Sequence, residues 1–377
     1  MTGTQLIGLA ALCLAGCVVT SPPDESAAMH EQSAAASRGF FYTGGKYTGD
    51  PGKQIMAGQM FVEVIAPKRV RRQYPLVLIH GAAQTATNWM GTPDGRQGWA
   101  DYFVEKGYIV YLVDQPMRGR SAWHPSDGPT RMVAASEIER QFTAAAELGD
   151  WPQARKHTQW PGNGPLKGRR GDPIFDAFYA TQVESLASAA DTQLTAQAAG
   201  AALLDRIGPA ILLTHSQAGP IGWLIADIRP DSVKGIVALE PSGPPFGSSM
   251  MPKQSQAWGP TDISITYRPA AASPDELMTH RVASSSPDLS ACWMQQAPAR
   301  QLINLAHIPV AIMVAEASYH AAYDHCTAAY LIQAGVNVNF MRLEDLGVFG
   351  NGHMMMIEKN NLQIADIVDS WLQEHVR

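Results

Sequence analysis

Ala210-Ile211-Leu212-Leu213-Thr214-His215-Ser216-Gln217-Ala218-Gly219 is the stretch whose reading decides the fold. Residues 210–213 have strand character, Ser216 follows on a tight turn, and Ala218 and Gly219 are small enough for the backbone to bend. Ile221-Gly222-Trp223-Leu224-Ile225 then reads as the start of a helix. A serine held on a sharp turn between strand and helix is pushed out above a sheet, with its Oγ exposed for attack. The pattern departs from G-x-S-x-G, because Thr214 and Ala218 stand where the two glycines would be. Taken alone it also fits an ordinary strand, turn and helix, so the rest of the chain has to decide.

Working outward, Tyr74 to His80 is a continuous apolar run, as expected of a strand buried on both faces of a parallel sheet. It ends in His80-Gly81-Ala82-Ala83, where a glycine permits close backbone approach to a substrate and makes the N–H of Ala82 a candidate oxyanion donor. Tyr108 to Asp114 is a second such run, continuing into Gln115-Pro-Met-Arg-Gly-Arg-Ser121, a loop that Asp114 and Arg118 are expected to hold. Further strands are expected over Asp231 to Glu240, Ile308 to Glu316 and Val336 to Met341. A leading antiparallel hairpin is expected within Phe40 to Val64. Helices are expected over Ala100 to Lys106, Glu137 to Leu148, Phe175 to Leu204, Cys326 to Ala334, from near Met354, and over Asn361 to His375. The two tryptophans of Asn88 to Trp99 are expected to be packing residues, with a role in lining the site as the alternative, since the segment leaves directly from the His80-Gly81 loop. A repeated strand–helix order after a hairpin predicts an α/β fold with a mostly parallel sheet and helices on both faces.

A serine nucleophile needs a base, and the base needs an acid to fix its tautomer. His353 follows the last strand inside Gly350-Asn351-Gly352-His353, where the glycines free the loop to bring the imidazole to Ser216. His215 is the nearest rival, but adjacent residues on a tight turn point apart. The acid stands at the C-terminal edge of the sheet, where ligands and catalysts gather. Glu240, after the sixth strand, and Glu316, after the seventh, both qualify; Asp324 is a weaker third, and spacing does not choose between them.

The chain resembles a family of bacterial α/β-hydrolase esterases. The resemblance rests on His80-Gly81, Thr92-Pro-Asp-Gly-Arg-Gln-Gly-Trp99, Asp114-Gln115 with Arg118-Gly-Arg-Ser121, His215-Ser-Gln-Ala-Gly219, Glu240-Pro241 and Gly350-Asn-Gly-His-Met-Met-Met356. These segments run through most of the chain after the leader. The resemblance implies an α/β-hydrolase fold, a triad of Ser216, His353 and Glu240, and oxyanion donors at the N–H groups of Ala82 and Gln217. It implies a serine carboxylesterase that works through an acyl-enzyme on a small-molecule ester, with no metal or organic cofactor. Acyl transfer, or lactone or amide hydrolysis, by the same triad is the alternative chemistry; a non-catalytic binding protein is the alternative class. This sequence has Ala82-Ala83 where some relatives carry cysteines, so no bridge is expected there.

The chain has 377 residues, 46% of them apolar, and a net charge of −6 without a basic cluster large enough to serve as a nucleic-acid footprint. Leu6 to Val19 is an apolar run too short to span a bilayer comfortably, ending in Leu14-Ala15-Gly16-Cys17, which resembles a bacterial lipobox. Residues 1–17 are therefore expected to be a signal leader and residues 18–38 a flexible tether, with membrane attachment through a lipidated Cys17. Export to the periplasm or outer membrane, or secretion, follows. No Lys or Arg precedes Arg38, so the usual positive start of such a leader is missing, and a chance apolar leader is the competing reading. Residues 39–377 form one catalytic domain with cap insertions near 122–208 and 246–304. Cys292 and Cys326 either pair in an oxidising compartment or sit apart as small buried hydrophobes.

Overall fold

A computed structural model describes residues 35–247 and 256–376, together with Met1. The leader and residues 18–34 of the expected tether lie outside the described residues. Its last four residues do not: residues 35–38 already belong to a strand, because they pair with the end of the next one.

The strands of the main sheet are β1 (Ala35–Thr48), β2 (Ile55–Pro67), β3 (Leu76–Ile79), β4 (Val110–Asp114), β5 (Ala210–His215), β6 (Val233–Leu239), β7 (Val310–Val314) and β8 (Val338–Arg342). Their order across the sheet is β1-β2-β4-β3-β5-β6-β7-β8. The β1/β2 hairpin and the β2/β4 pair are antiparallel, and all other neighbours are parallel. All residues of β3, β5 and β7 are buried, which is why their sequences are unbroken apolar runs rather than alternating ones. One apolar core under the sheet gathers Trp89, Trp99, Phe103 and Met354 to Met356; the other gathers Trp223, Leu224, Leu203 and Ile312. Trp89 and Trp99 are fully buried against one another, so both are packing residues.

Register aligns the sheet's C-terminal edge. Ile79 pairs with Thr214, His215 with Leu239, and Leu239 with Met313. The residues that follow these strands, His80, Ser216, Glu240 and Ala315, therefore emerge side by side.

The expected helices need three corrections. Glu137 to Leu148 is not one α-helix: Ala135–Ile138 and Ala145–Leu148 flank a π-helical turn, Glu139–Thr143. Phe175 to Leu204 divides into Pro173–Tyr179 and Ala189–Ile207. Between them the chain donates Val183 N–H to Ala83 C=O and pairs Ser185–Leu186 with Thr130–Arg131, before Ser188 caps the second helix. No helix begins at Met354, where the backbone runs through successive turns to the final helix, Asn361–His375. Arg96 holds this stretch in its turns, its guanidinium donating to the carbonyls of Ile357, Glu358 and Lys359.

Cys292 and Cys326 are bonded, closing 34 residues and tying the hairpin Thr279–Val282/Cys292–Gln295 to the helix Asp324–Gln333. A loop of that length is stabilised by about 3–4 kcal/mol in the chain-entropy picture.

Candidate active site

Ser216 sits between β5 and α1 (Ala218–Ile228), with φ of +54°. Its N–H donates to Leu239 C=O, and its C=O accepts from Gly219 and Ser242. Glu240 at φ +46° and Ala83 at +58° share the left-handed region, so three strained non-glycine residues meet at one sheet edge. Strain of about 1–3 kcal/mol each persists only where the surroundings over-determine it, and such positions collect at functional sites.

The two missing glycines are compensated nearby. A Cβ on Gly222 would approach the Thr214 Cγ2 to 3.0 Å, so the helix makes room for the threonine methyl that a glycine at 214 would not need. A Cβ on Gly219 would come within 2.3 Å of Pro241, so this position, one residue beyond Ala218, carries the tight approach of helix to β6 turn.

Glu240 Oε2 lies 2.5 Å from His353 Nδ1. The same carboxylate accepts Ala315 N–H at 2.8 Å and Ser318 O–H at 2.6 Å. Both members of the pair are buried. Burial pushes the Glu240 carboxyl up to about 7, against the pull of His320 and the Ser318 and Ala315 donors. Burial first, and His320 second, hold the His353 imidazole well below its usual range, so the ring is neutral. With Nδ1–H donated to Glu240, Nε2 is left with the lone pair that a general base needs.

Glu316 is placed differently. Its carboxylate accepts Gly350 N–H at 2.9 Å and pairs with Lys156 at 3.0 Å. It thus pins the loop that carries His353 without touching the imidazole. Asp324 meets His320 Nδ1 at 2.9 Å, one residue removed from the pair. His215 Nε2 reaches the backbone carbonyl of His353 at 3.1 Å, and so positions the loop rather than facing Ser216.

The N–H groups of Ala82 and Gln217 have no hydrogen-bond partner among the described residues. Arg118, together with His80 Nδ1, sets the aim of the Ala82 N–H through the Gly81 carbonyl. Arg118 is buried, and donates to Gly81 C=O at 2.8 Å and to Gln217 Oε1 at 3.0 Å. In a trans peptide, a carbonyl held on one side turns the N–H of the same unit, here Ala82, to the other. A Cβ on Gly81 would lie 2.9 Å from His215 Nδ1 and 3.0 Å from Ser216 Cβ, so only glycine fits that approach. Arg118 was expected to hold its own loop, but it reaches across to the strand end beside the serine.

Three further residues escaped sequence reasoning. Glu358, fully buried, accepts both Gly352 N–H and Asn351 Nδ2 and so anchors the histidine loop. Ser318 fastens the Glu240 carboxylate. Tyr319 places its phenol oxygen 3.4 Å from His353 Nε2 and interacts with the Ser216 side chain. No hydrogen bond joins Ser216 Oγ to His353 Nε2 among the described residues. The short turn Tyr319–Ala322 has no periodic signal, so nothing in the sequence marked it.

Ser216, His353, Tyr319, Ala82 and Gln217 line a cleft of about 230 Å³. Segment 122–208 contributes Arg131, Glu137, Ile138, Phe142 and Gln193, and segment 246–304 contributes Gln256 and Asp262. Phe142 packs its ring 4.9 Å from that of His353, covering the imidazole from the side of the first insertion.

Residues 76–367 match the model of the Alpha/beta hydrolase family. The chain is 48% identical over 337 residues to "Probable secreted lipase phiG" of Fungal sp. (strain ATCC 74256), covering 89% of each chain. Among solved structures it is similar to that described as "The Atomic Resolution Structure of a Novel Bacterial Esterase", with a TM-score of 0.59 and 25% identity, over 91% of this chain and 97% of the other. The chain belongs to the alpha/beta hydrolase family.

Proposed function

We propose that the protein is a carboxylic-ester hydrolase that works through Ser216, His353 and Glu240 and an acyl-enzyme intermediate. The observation that carries this reading is the hydrogen bond between Glu240 and His353, in a cleft where Ser216 stands on a strained turn beside two undonated N–H groups.

Ser216 Oγ adds to the ester carbonyl while its proton passes to His353 Nε2. Glu240 fixes the tautomer and stabilises the imidazolium. The N–H groups of Ala82 and Gln217 receive the oxyanion, an interaction whose loss costs about 100-fold or more in rate. The imidazolium returns its proton to the leaving alcohol, and water releases the acid by the same steps in reverse. The triad is complete without a metal or an organic cofactor.

The cleft's lining supports a short ester with polar substituents over a long acyl chain. Gln84 and Gln256 are buried with their Oε1 atoms unpartnered, and Gln193, Glu137 and Asp262 stand among Val133, Ile138 and Phe142. The apolar leader and the name of the fungal relative support export, with Cys17 as the residue that would carry a lipid. Hydrolysis of p-nitrophenyl esters of graded chain length by the protein and by Ser216→Ala tests the reading. Turnover is expected to fall with chain length and to vanish in the variant; unchanged turnover by Ser216→Ala would overturn it.

A further inference from the structure

We infer that Tyr319 is a catalytic hydrogen-bond donor to the leaving-group oxygen, a role that rests on the ester-hydrolase reading above. The leaving oxygen departs beside the serine and the imidazole, and the Tyr319 phenol stands next to the imidazole in the cleft that Ser216 also lines. It lies 3.4 Å from His353 Nε2 and interacts with the Ser216 side chain. It lines the same cleft as Ala82 and Gln217.

The ring is fixed on every side. Phe142 stacks on it at 6.4 Å, Trp151 meets it edge-on at 5.9 Å, and His320 lies at 4.5 Å. Trp151 in turn donates its indole N–H to Ala317 C=O, and Ser318 is bonded to Glu240, so the backbone on the ring's N-terminal side is tied to the acid. A donor held this firmly loses little freedom when it binds a transition state. Burial, with the Glu240 and Asp324 carboxylates adding to it, holds the phenol well above its ordinary pKa, so it keeps its proton at all working pH.

The step balances without transferring that proton. Ser216 Oγ bonds to the carbonyl carbon and its proton moves to His353 Nε2. When the tetrahedral intermediate collapses, the bond from that carbon to the leaving oxygen breaks, and the proton on Nε2 goes to this oxygen. Tyr319 O–H donates a hydrogen bond to the same oxygen as negative charge gathers on it, then returns to Nε2. The help is largest where the leaving alkoxide is most basic.

The test is the leaving-group dependence of kcat/KM for acetate esters running from p-nitrophenyl to simple alkyl, with the full chain and with Tyr319→Phe. Phenylalanine preserves the ring contacts and removes the hydroxyl alone. The expected loss is within about threefold for p-nitrophenyl acetate and grows to about 100-fold for alkyl acetates, the size seen when one charge-directed donor is removed. A loss equal across the series, or no loss, would overturn the inference. If Tyr319→Phe does not fold, the slope of the unsubstituted protein decides: a shallow dependence on leaving-group basicity supports the donor, and a steep one contradicts it. An unsubstituted protein that hydrolyses none of these esters, and whose Ser216 resists a phosphonate, sinks the hydrolase reading itself; an active protein with a uniform Tyr319→Phe effect sinks only this role.

Discussion

Glu240 stands 2.5 Å from Nδ1 of His353, while Glu316, which the chain order makes equally eligible, spends its carboxylate on Gly350 N–H and Lys156. The two glutamates lie at the ends of neighbouring parallel strands, and the difference between them is where the histidine loop comes down. Gly350 arrives over β7 and the imidazole extends back over β6.

This separation predicts different kinetics for the two variants. Glu240→Gln should lower kcat by about 10³–10⁴-fold with KM little changed, because the amide cannot enforce the tautomer or stabilise the cation. Glu316→Gln should cost less than about tenfold, and should lower the thermal midpoint as the loop loses its anchor. Steady-state kinetics with one ester, alongside a melting curve, checks both; a larger loss of kcat at Glu316 would reverse the assignment.

Arg118 acts through the peptide it holds. Arg118→Met removes one of the two donors to Gly81 C=O, leaving His80 Nδ1 as the other, strips the Gln217 side chain of its guanidinium partner, and loosens the hold on the Ala82 N–H. A fall in kcat of about 10–100-fold is expected, with KM changing by less than about threefold, because the oxyanion forms only in the transition state. Tighter inhibition by a transition-state-like boronate in the unsubstituted protein than in the variant, at equal substrate-analogue binding, would separate this from a general loss of structure. Equal inhibition of the two by the boronate would refute the positioning role.

His80 shows how stability should depend on acidity. Nδ1 donates to Gly81 C=O and Nε2 accepts Gln115 N–H, so the ring must be neutral to make both bonds. Burial, and then Arg118, lower its pKa from 6.5 to about 3. The folded-state value lies below the unfolded one, so the contribution is complete above pH 6.5 and is lost as the pH falls from there toward about 3. The stability gap between the protein and His80→Gln, measured by denaturant unfolding, should be widest at neutral pH and narrow by up to about 1.4 kcal/mol per pH unit across that window. Glu240, with its pKa raised, works in the opposite direction, losing stability as the pH rises through about 7, which is why the difference between protein and variant is the quantity to follow. A gap constant with pH would contradict the neutral, doubly bonded ring.

Much of this architecture was legible in the sequence because parallel strands buried on both faces leave unbroken apolar runs. Leu76–Ile79 and Val310–Val314 fall inside the predicted segments, and Ala210–His215 starts where its strand was expected and runs two residues further; strand count orders a serine, a strand-end glutamate and a histidine without choosing the glutamate. What stayed hidden depended on contacts distant in the chain. The helix expected from near Met354 is absent, and Arg96, some 260 residues earlier, binds the carbonyls of Ile357, Glu358 and Lys359 along the turns found there. Glu240 and Glu316 are indistinguishable by spacing, since only the descent of the Gly350 loop separates them. Tyr319 lies on a four-residue turn whose only signature is its packing. The lost glycines of the serine turn look like a defect in one dimension; in three, Gly219 and Gly222 supply the space.

The central claim, that Ser216 is a nucleophile activated by His353, is tested most directly by covalent labelling. The protein is incubated with a fluorophosphonate, its intact mass is measured, and the modified peptide is sequenced. One phosphonyl group on Ser216 is predicted, with the labelling rate reduced by at least about 100-fold in His353→Ala. Absence of the adduct, or its appearance on another residue at the same rate in both proteins, would contradict the account.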